Sequence, residues 1–366
     1  DPDAGSVIFF TSGTTGPNKA VLLSQRNITS NLYGATSLFW LSGSTVSLLP
    51  YHHCLGLLTG TLKPFYYGHR TFINNSLRYI LDDICYVKAE TLIVVPLYIE
   101  RFYKQIWKNA KKQGEEEKLK KAIKISNFFI KLGIDVRRKM FKSIIDQFGG
   151  ELSFIICGGA YLDQKYIDFF YSIGIAVLNG YGITECSPVL SVNRNYHIKR
   201  KSVGLPCRGD EIKVIDGEIC VKGPNVMLGY YKDKKATDSV IKDGYFHTGD
   251  LGYVDKDGFI FITGRKKNII ILNNGENVSP EVIEEELIQD DGVCEVVVYA
   301  EDDKLIAAIF PEEEYLGNQE YFDNLIYNYN KDKPLSKQVS SVKLRDTEFI
   351  KNNNRKILRN KVLEGE

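Results

Sequence analysis

The chain has 366 residues, 43% apolar and 25% charged, with a formal net charge of +1. This is the mix of a globular protein and excludes a collagen-like repeat, a disordered polar tail and a small disulfide scaffold, while the length points to two or three domains. Near-neutral charge gives no global reason to expect nucleic acid, no run of about eighteen apolar residues exists to form a membrane span, and seven singly spaced cysteines without a CxxC pair suit buried thiols in a reducing, cytoplasmic compartment.

Residues 7–10, Val-Ile-Phe-Phe, predict a short buried strand. It runs into Thr11-Ser12-Gly13-Thr14-Thr15-Gly16-Pro17-Asn18-Lys19, after which the pattern predicts a strand over 20–23 and a helix over 24–38. Strands recur over 45–49, 91–95, 152–157 and 175–179 with helical text between them, the alternation of an α/β layered domain. Residues 98–147 read as helical and rich in Lys and Arg, broken near Gly114, with apolar positions such as Ile123, Phe128, Leu132 and Met140 on amphipathic faces. The ordinary meaning of such text is a solvated face; the sharper one is contact with an anionic membrane surface. After Ser202, short strands over 211–215, 218–222, 252–255 and 259–263 with the turn signals Asp216-Gly217 and Asp257-Gly258 predict a small β subdomain. The expected organisation is a large domain over 1–201, its β subdomain over 202–264, a hinge over 265–268 and a small α+β domain over 269–366.

Three segments have the chemistry of a nucleotide site. In the loop from Thr11 to Lys19, glycines let backbone N–H groups approach an anion, hydroxyls add donors and a lysine adds charge. It is not an ordinary P-loop, because only Thr14 and Thr15 separate Gly13 from Gly16 and a strand follows. The second segment, Asn179-Gly180-Tyr181-Gly182-Ile183-Thr184-Glu185, follows a predicted strand, at the edge where open α/β sheets bind ligands. Its aromatic ring suits a base, and its hydroxyl and carboxylate suit Mg²⁺ beside phosphates. In the third, Thr248-Gly249-Asp250 and Gly264-Arg265 flank a hairpin, so a carboxylate and a guanidinium could share a ribose diol. A flexible turn, a Gly-rich turn around a core tyrosine and a surface ion pair are the bland alternatives.

In this order the segments resemble the adenylate-forming superfamily of acyl-CoA synthetases, luciferases and adenylation domains, and most of all bacterial long-chain fatty acid–CoA ligases. The resemblance rests on the loop from Thr11 to Lys19, Ile155-Ile156-Cys157-Gly158-Gly159-Ala160, Tyr181-Gly182-Ile183-Thr184-Glu185-Cys186-Ser187-Pro188, Thr248-Gly249-Asp250, Gly264-Arg265-Lys266-Lys267 and Asn274-Gly275-Glu276-Asn277. It implies two half-reactions: a carboxylate attacks the α-phosphate of ATP to give an acyl-adenylate and pyrophosphate, then the thiol of CoA displaces AMP. It also implies roles. Thr11, Ser12, Gly13, Thr14, Thr15, Gly16 and Lys19 wrap the β- and γ-phosphates. Gly158, Gly159 and Ala160 line the adenine and acyl pocket, Tyr181 stacks on adenine, and Gly182 belongs to the nucleotide-binding set. Thr184 touches the α-phosphate, Glu185 holds Mg²⁺ with Thr184 beside it, and Asp250 and Arg265 bind the ribose. Lys356, in Arg355-Lys356-Ile357-Leu358-Arg359, corresponds to the family's catalytic lysine, with Arg355 where a glycine is usual. Lys267 corresponds to the pivot of a rotating C-terminal domain.

His52-His53 has no third metal ligand nearby, which leaves a packed or pocket-lining role for His53. Family members begin well upstream of the phosphate loop, so an additional N-terminal subdomain is expected, along with inactivity or association of this chain alone. Two rival functions remain beside the fatty acid–CoA ligase: a carrier-protein or short-acid ligase of the same superfamily, and an AMP-binding regulatory module without catalysis.

Overall fold

Short β-rich runs pair into a seven-stranded sheet in the spatial order Arg70–Ile73, Ser44–Ser47, Thr91–Val94, Phe154–Cys157, Ala176–Gly182, Val189–Val192, Leu205–Pro206. The first five run parallel, Val189–Val192 pairs antiparallel to the fifth, and Leu205–Pro206 pairs antiparallel to Val189–Val192. Every residue of Ser44–Ser47 and Thr91–Val94 is buried, as expected where helices cover both faces of a parallel sheet. Ile84, Ile99, Phe102, Phe170 and Val177 fill the layers between sheet and helices. Each such side chain stabilises the fold by about 1.5–3 kcal/mol relative to exposure. The computed structural model describes all residues except 12–18, 40–42, 75, 196, 274, 352–356 and 364–366.

At the amino end, Gly5–Thr11 pairs antiparallel with Lys19–Ser24, bringing Thr11 opposite Lys19. Ser24 caps the next helix, Gln25–Thr36, in a capping box with Asn27. The Asn27 side chain donates to the carbonyls of Pro224 and Val226, and that of Asn31 to those of Cys186 and Val189. These amides tie the helix Gln25–Thr36 to the loop after Glu218–Lys222 and to the start of Val189–Val192.

A second sheet of five strands holds Glu211–Ile215, Glu218–Lys222, Tyr245–Val254, Ile241–Lys242 and Ile260–Arg265. Beyond residue 268, Val293–Glu301, Lys304–Pro311 and Val339–Leu344 form a three-stranded sheet. The helices Pro280–Leu287 and Gln319–Asn330 pack on it through Leu287, Phe322 and Ile326. The chain is therefore α/β, with a layered sheet-and-helix part, a β part and an α+β part.

Three details differ from the pattern read in sequence. The strand expected over 175–179 continues to Gly182, because Gly180 and Tyr181 pair with Val192 and Ser191. The strand expected over 252–255 begins at Tyr245. The run Leu55–Leu62 forms a π-helix, which an apolar stretch with no period does not announce.

Candidate active site

The strands Thr91–Val94, Phe154–Cys157 and Ala176–Gly182 point their carboxyl ends at one cavity of about 1880 Å³, where Val95, Gly158 and Thr184 form part of the wall. Phe39, Leu49, Leu55 and Ile93 give it an apolar side. The volume exceeds the 300–1,000 Å³ or so of a pocket for one small ligand.

Gly158 follows its strand and donates its N–H to the Val94 carbonyl at 3.2 Å, which holds the turn against the neighbouring strand. A Cβ on Gly158 or Gly159 would meet nothing closer than 3.5 Å, so these glycines leave open space beside Ala160 in the cavity wall. Gly182 is glycine for another reason. A Cβ there would stand 2.1 Å from the Pro188 carbonyl oxygen, so the close approach of the adjoining strand demands it.

Tyr181 also lines the cavity, and its hydroxyl donates to Asp250 Oδ2 at 2.5 Å. Asp250 is only 4% exposed and sits opposite Arg265 in the register of Tyr245–Val254 with Ile260–Arg265. Arg265 Nε lies 2.7 Å from Asp250 Oδ1. Thr248 Oγ1 accepts from the Asp250 N–H at 3.0 Å and donates to the Ile219 carbonyl at 2.7 Å, which fixes the strand that carries the carboxylate. Burial, then the Asp250 charge, push the Tyr181 phenol well above its ordinary value, so it remains a donor.

Thr11 and Lys19 line the same cavity; Ser12, Gly13, Thr14, Thr15 and Gly16 lie outside the described residues. Lys19 Nζ stands 4.6 Å from the ring centroid of Tyr230, and the Tyr230 hydroxyl donates to Glu185 Oε1 at 2.9 Å. Tyr230 thus bridges the root of the loop to the carboxylate of the second motif. Sequence reasoning missed it; its place follows from pairing of Gly229–Tyr230 with Lys19–Ser24, which no spacing encodes. Thr184 and Glu185 share one 3₁₀ turn, Thr184–Cys186. Their donor set, a hydroxyl and a carboxylate, contains only oxygen and fits Mg²⁺ rather than a softer metal. His53 lines the cavity with its ring centroid 4.4 Å from that of His52.

Glu218 was also not foreseen as part of the site. Its Oε2 accepts from Lys266 Nζ at 2.9 Å and from His247 Nδ1 at 3.2 Å, and its Oε1 from the Gly249 N–H at 2.8 Å. Burial would raise this carboxyl, but those three donors outweigh it and hold the pKa below the usual range. Glu218, Cys220 and His247 are the one potential metal cluster among the described residues. The Lys266 ammonium already answers the carboxylate, so the set does not suit a cation. The signal available in sequence was Glu218 directly after the Asp216-Gly217 turn.

Lys267 lies on the cavity wall, where desolvation, and next the neighbouring Arg265 charge, lower its ammonium pKa. Just before it, Gly264 takes a φ of +155°, and a Cβ would stand 2.0 Å from Ser279 Oγ. Ser279 donates that hydroxyl to the Thr263 carbonyl at 2.8 Å, and Asn268 Nδ2 donates to Glu281 Oε1 at 2.5 Å. Lys356 and Asn274 lie outside the described residues. Lys351 and Ile357 form an antiparallel bridge, and both line the cavity together with Arg359. Arg359 pairs with Glu284, and Lys351 with Glu295 and, at 2.7 Å, Glu348.

A family model described as AMP-binding enzyme matches residues 1–231. Long-chain-fatty-acid–CoA ligase 5 of Rattus norvegicus is 33% identical over 346 residues, covering 86% of this chain and 50% of that protein. Long-chain-fatty-acid–CoA ligase FadD15 of Mycobacterium bovis is 28% identical over 322 residues, covering 83% of this chain and 54% of that protein. The chain thus spans about half the length of these curated relatives. O-succinylbenzoate coenzyme A synthetase of Bacillus subtilis, solved with ATP and a magnesium ion, superposes with a TM-score of 0.75 at 23% identity, over 99% of this chain and 70% of that one. The match over residues 1–231, more than half of the chain, establishes that the chain belongs to the AMP-binding enzyme family.

Proposed function

We propose that this chain carries the machinery of an AMP-forming fatty acid–CoA ligase that takes long-chain acids. The observation that carries the reading is the Tyr181–Asp250–Arg265 network on the cavity that Lys19 and Glu185 also line. A buried carboxylate held between a phenol and a guanidinium is a fixed acceptor for a ribose diol, with an aromatic face beside it for a purine. The names of the relatives and the apolar side of the cavity support an acyl substrate.

In the first half-reaction a carboxylate oxygen of the acid attacks the α-phosphorus of ATP. An O–P bond forms, the α–β anhydride bond breaks and pyrophosphate leaves. Thr11, Lys19 and the loop residues Ser12, Gly13, Thr14, Thr15 and Gly16 hold the outer phosphates. Gly158, Gly159, Ala160 and Gly182 shape the pocket, and Thr184 contacts the α-phosphate. Thr184 and Glu185 would hold Mg²⁺, which would supply charge neutralisation at the phosphates. Lys356 stabilises the α-phosphate as charge builds in the transition state. His53 borders the carboxylate end of the acyl pocket. In the second half-reaction the sulfur of CoA attacks the acyl carbon, AMP departs and the thiol proton is lost to solvent. Between the two, residues 269–366 act as a lid that turns on a hinge over 265–268 with Lys267 as pivot, while 1–201 and 202–264 stay together as the large domain and its β subdomain.

We place this activity in a reducing, cytoplasmic compartment, in keeping with cysteines that are all free, and with peripheral contact at a membrane. No described helix is long and apolar enough to cross one.

The test is acid-dependent ATP–pyrophosphate exchange across a panel of chain lengths, followed by CoA consumption. Exchange that rises with long-chain acids and couples to CoA loss supports the ligase. Exchange without CoA consumption assigns a carrier-protein ligase, and AMP binding without exchange assigns a regulatory module; either result overturns the proposal.

A further inference from the structure

The helix Glu116–Lys131 buries Leu119 and Ser126, whose hydroxyl donates to the Ser172 carbonyl at 3.0 Å. Its opposite face is not simply polar. Lys121, Lys124, Ile125, Phe128, Lys131 and Leu132 follow i, i+3, i+4, i+7 spacing and share one side. Phe128 is 60% exposed, Leu132 59% and Ile125 48%. Beside this face, Ala122, Ile125 and Met140, with Lys118 and Lys121, line a shallow groove of about 430 Å³ that is almost wholly apolar. None of these residues touches the large cavity.

The charge is as one-sided as the exposure. From residue 116 to residue 142 there are nine Lys or Arg against the carboxylates Glu116, Glu117 and Asp135. Those carboxylates are spent locally, on Lys120 and Arg137. Among the described residues no carboxylate stands within 4.0 Å of Lys121, Lys124, Lys131 or Lys139. A second copy of the chain would bring the same excess of positive charge face to face, which disfavours self-association through this surface. An anionic lipid surface meets both halves of the pattern, since headgroup phosphates answer the lysines and the acyl boundary takes the apolar side chains.

We propose that the exposed face of Glu116–Lys131 docks this protein on an anionic membrane, with Ile125, Phe128 and Leu132 entering the headgroup–acyl boundary and the groove beside Met140 accepting part of one lipid chain. The inference rests on the ligase reading only for its purpose, which is to bring the site to the phase where long-chain acids partition. Its physical basis is separate.

The test is co-sedimentation of the full chain with vesicles of phosphatidylcholine alone and of phosphatidylcholine with one third phosphatidylglycerol, at low and at physiological salt. Binding is expected only with phosphatidylglycerol and weakens with salt. Each lysine removed lowers binding about fivefold, so the Lys121→Gln/Lys124→Gln/Lys131→Gln variant loses about a hundredfold. Phe128→Ser/Leu132→Ser loses about tenfold or more while keeping every charge. Wild-type protein that ignores phosphatidylglycerol vesicles, or variants that bind as wild type does, would overturn the proposal. So would equal binding to phosphatidylcholine alone, or a dimer in sedimentation that Phe128→Ser/Leu132→Ser disperses. Thermal melts of both variants should match wild type, because every altered side chain is exposed. Exchange activity with a soluble acid separates the two readings: vesicle binding lost with exchange retained condemns only this surface, and vesicle binding without exchange condemns only the ligase.

Discussion

The wall around Asp250 and the residues around Arg359 both set an arginine against a buried carboxylate, but they are joined to the rest of the molecule in different ways. Asp250 sits between strands of one sheet and reaches the main sheet through Tyr181, with every link buried or half-buried. The region beyond residue 268 also meets the remainder through exposed pairs at its margin. Lys104 pairs with Glu312 at 3.4 Å and Lys111 with Glu314 at 4.0 Å, both exposed, and Gln289 donates to Asp163 at 2.8 Å. Exposed pairs of that kind contribute about 0–1 kcal/mol each. The difference is that the Asp250 network is held by buried links between two sheets while these contacts are exposed, which is the asymmetry the proposed turning lid would need.

The largest effect should come from Lys356. Lys356→Ala should slow adenylation by about 10²–10³-fold while sparing thioester formation from a supplied acyl-adenylate. Single-turnover assays of each half-reaction check this, and equal loss of both would remove the assigned role. At the network, Asp250→Ala strips the Tyr181 hydroxyl of its acceptor, a loss of about 1–3 kcal/mol, while Arg265, 42% exposed, is answered by solvent. The substitution should weaken AMP by about a hundredfold in titration calorimetry and also lower the melting temperature. Lys267→Pro addresses the join between the two. Fixing φ at the pivot should cut one half-reaction about tenfold or more and leave the other near wild type; normal overall turnover would contradict the hinge.

The smallest effect lies away from both. Burial raises the Asp210 carboxyl to about 7 from 3.8, against the opposing hydrogen bond from Asn225. The folded protein therefore keeps a proton that the unfolded chain releases between about pH 4 and 7, and stability falls as pH rises through that window. Asp210→Asn should flatten the dependence by up to about 1.4 kcal/mol per pH unit, read from urea melts between pH 5 and 8. An unchanged slope would mean that Asp210 titrates normally.

What the sequence made legible was local. The strand Glu218–Lys222, the break near Gly114 between two helices and the helix Gln25–Thr36 within the expected 24–38 all follow from turn chemistry and period, which act over a few residues. Tyr181 and Asp250 were readable as motif residues, but their hydrogen bond spans 69 positions and depends on how two sheets meet. Tyr230 and Glu218 escaped notice for the same reason. Tyr230 carries no signal of its own and Glu218 only its place after the Asp216-Gly217 turn, and each acquires its role from a partner in a distant 3₁₀ turn, Glu185 for one and Lys266 for the other. Leu55–Leu62 escaped because its turn geometry is set by what it packs against, not by a period in its residues.

The central claim is that the Tyr181–Asp250–Arg265 network is the ribose end of a nucleotide site. The direct measurement is the affinity of wild type and Asp250→Ala for AMP and for 2′,3′-dideoxy-AMP. The account predicts that wild type prefers AMP by about tenfold or more, the worth of one or two hydrogen bonds to a charged acceptor, and that Asp250→Ala shows no preference. A preference for AMP that survives in Asp250→Ala would contradict it.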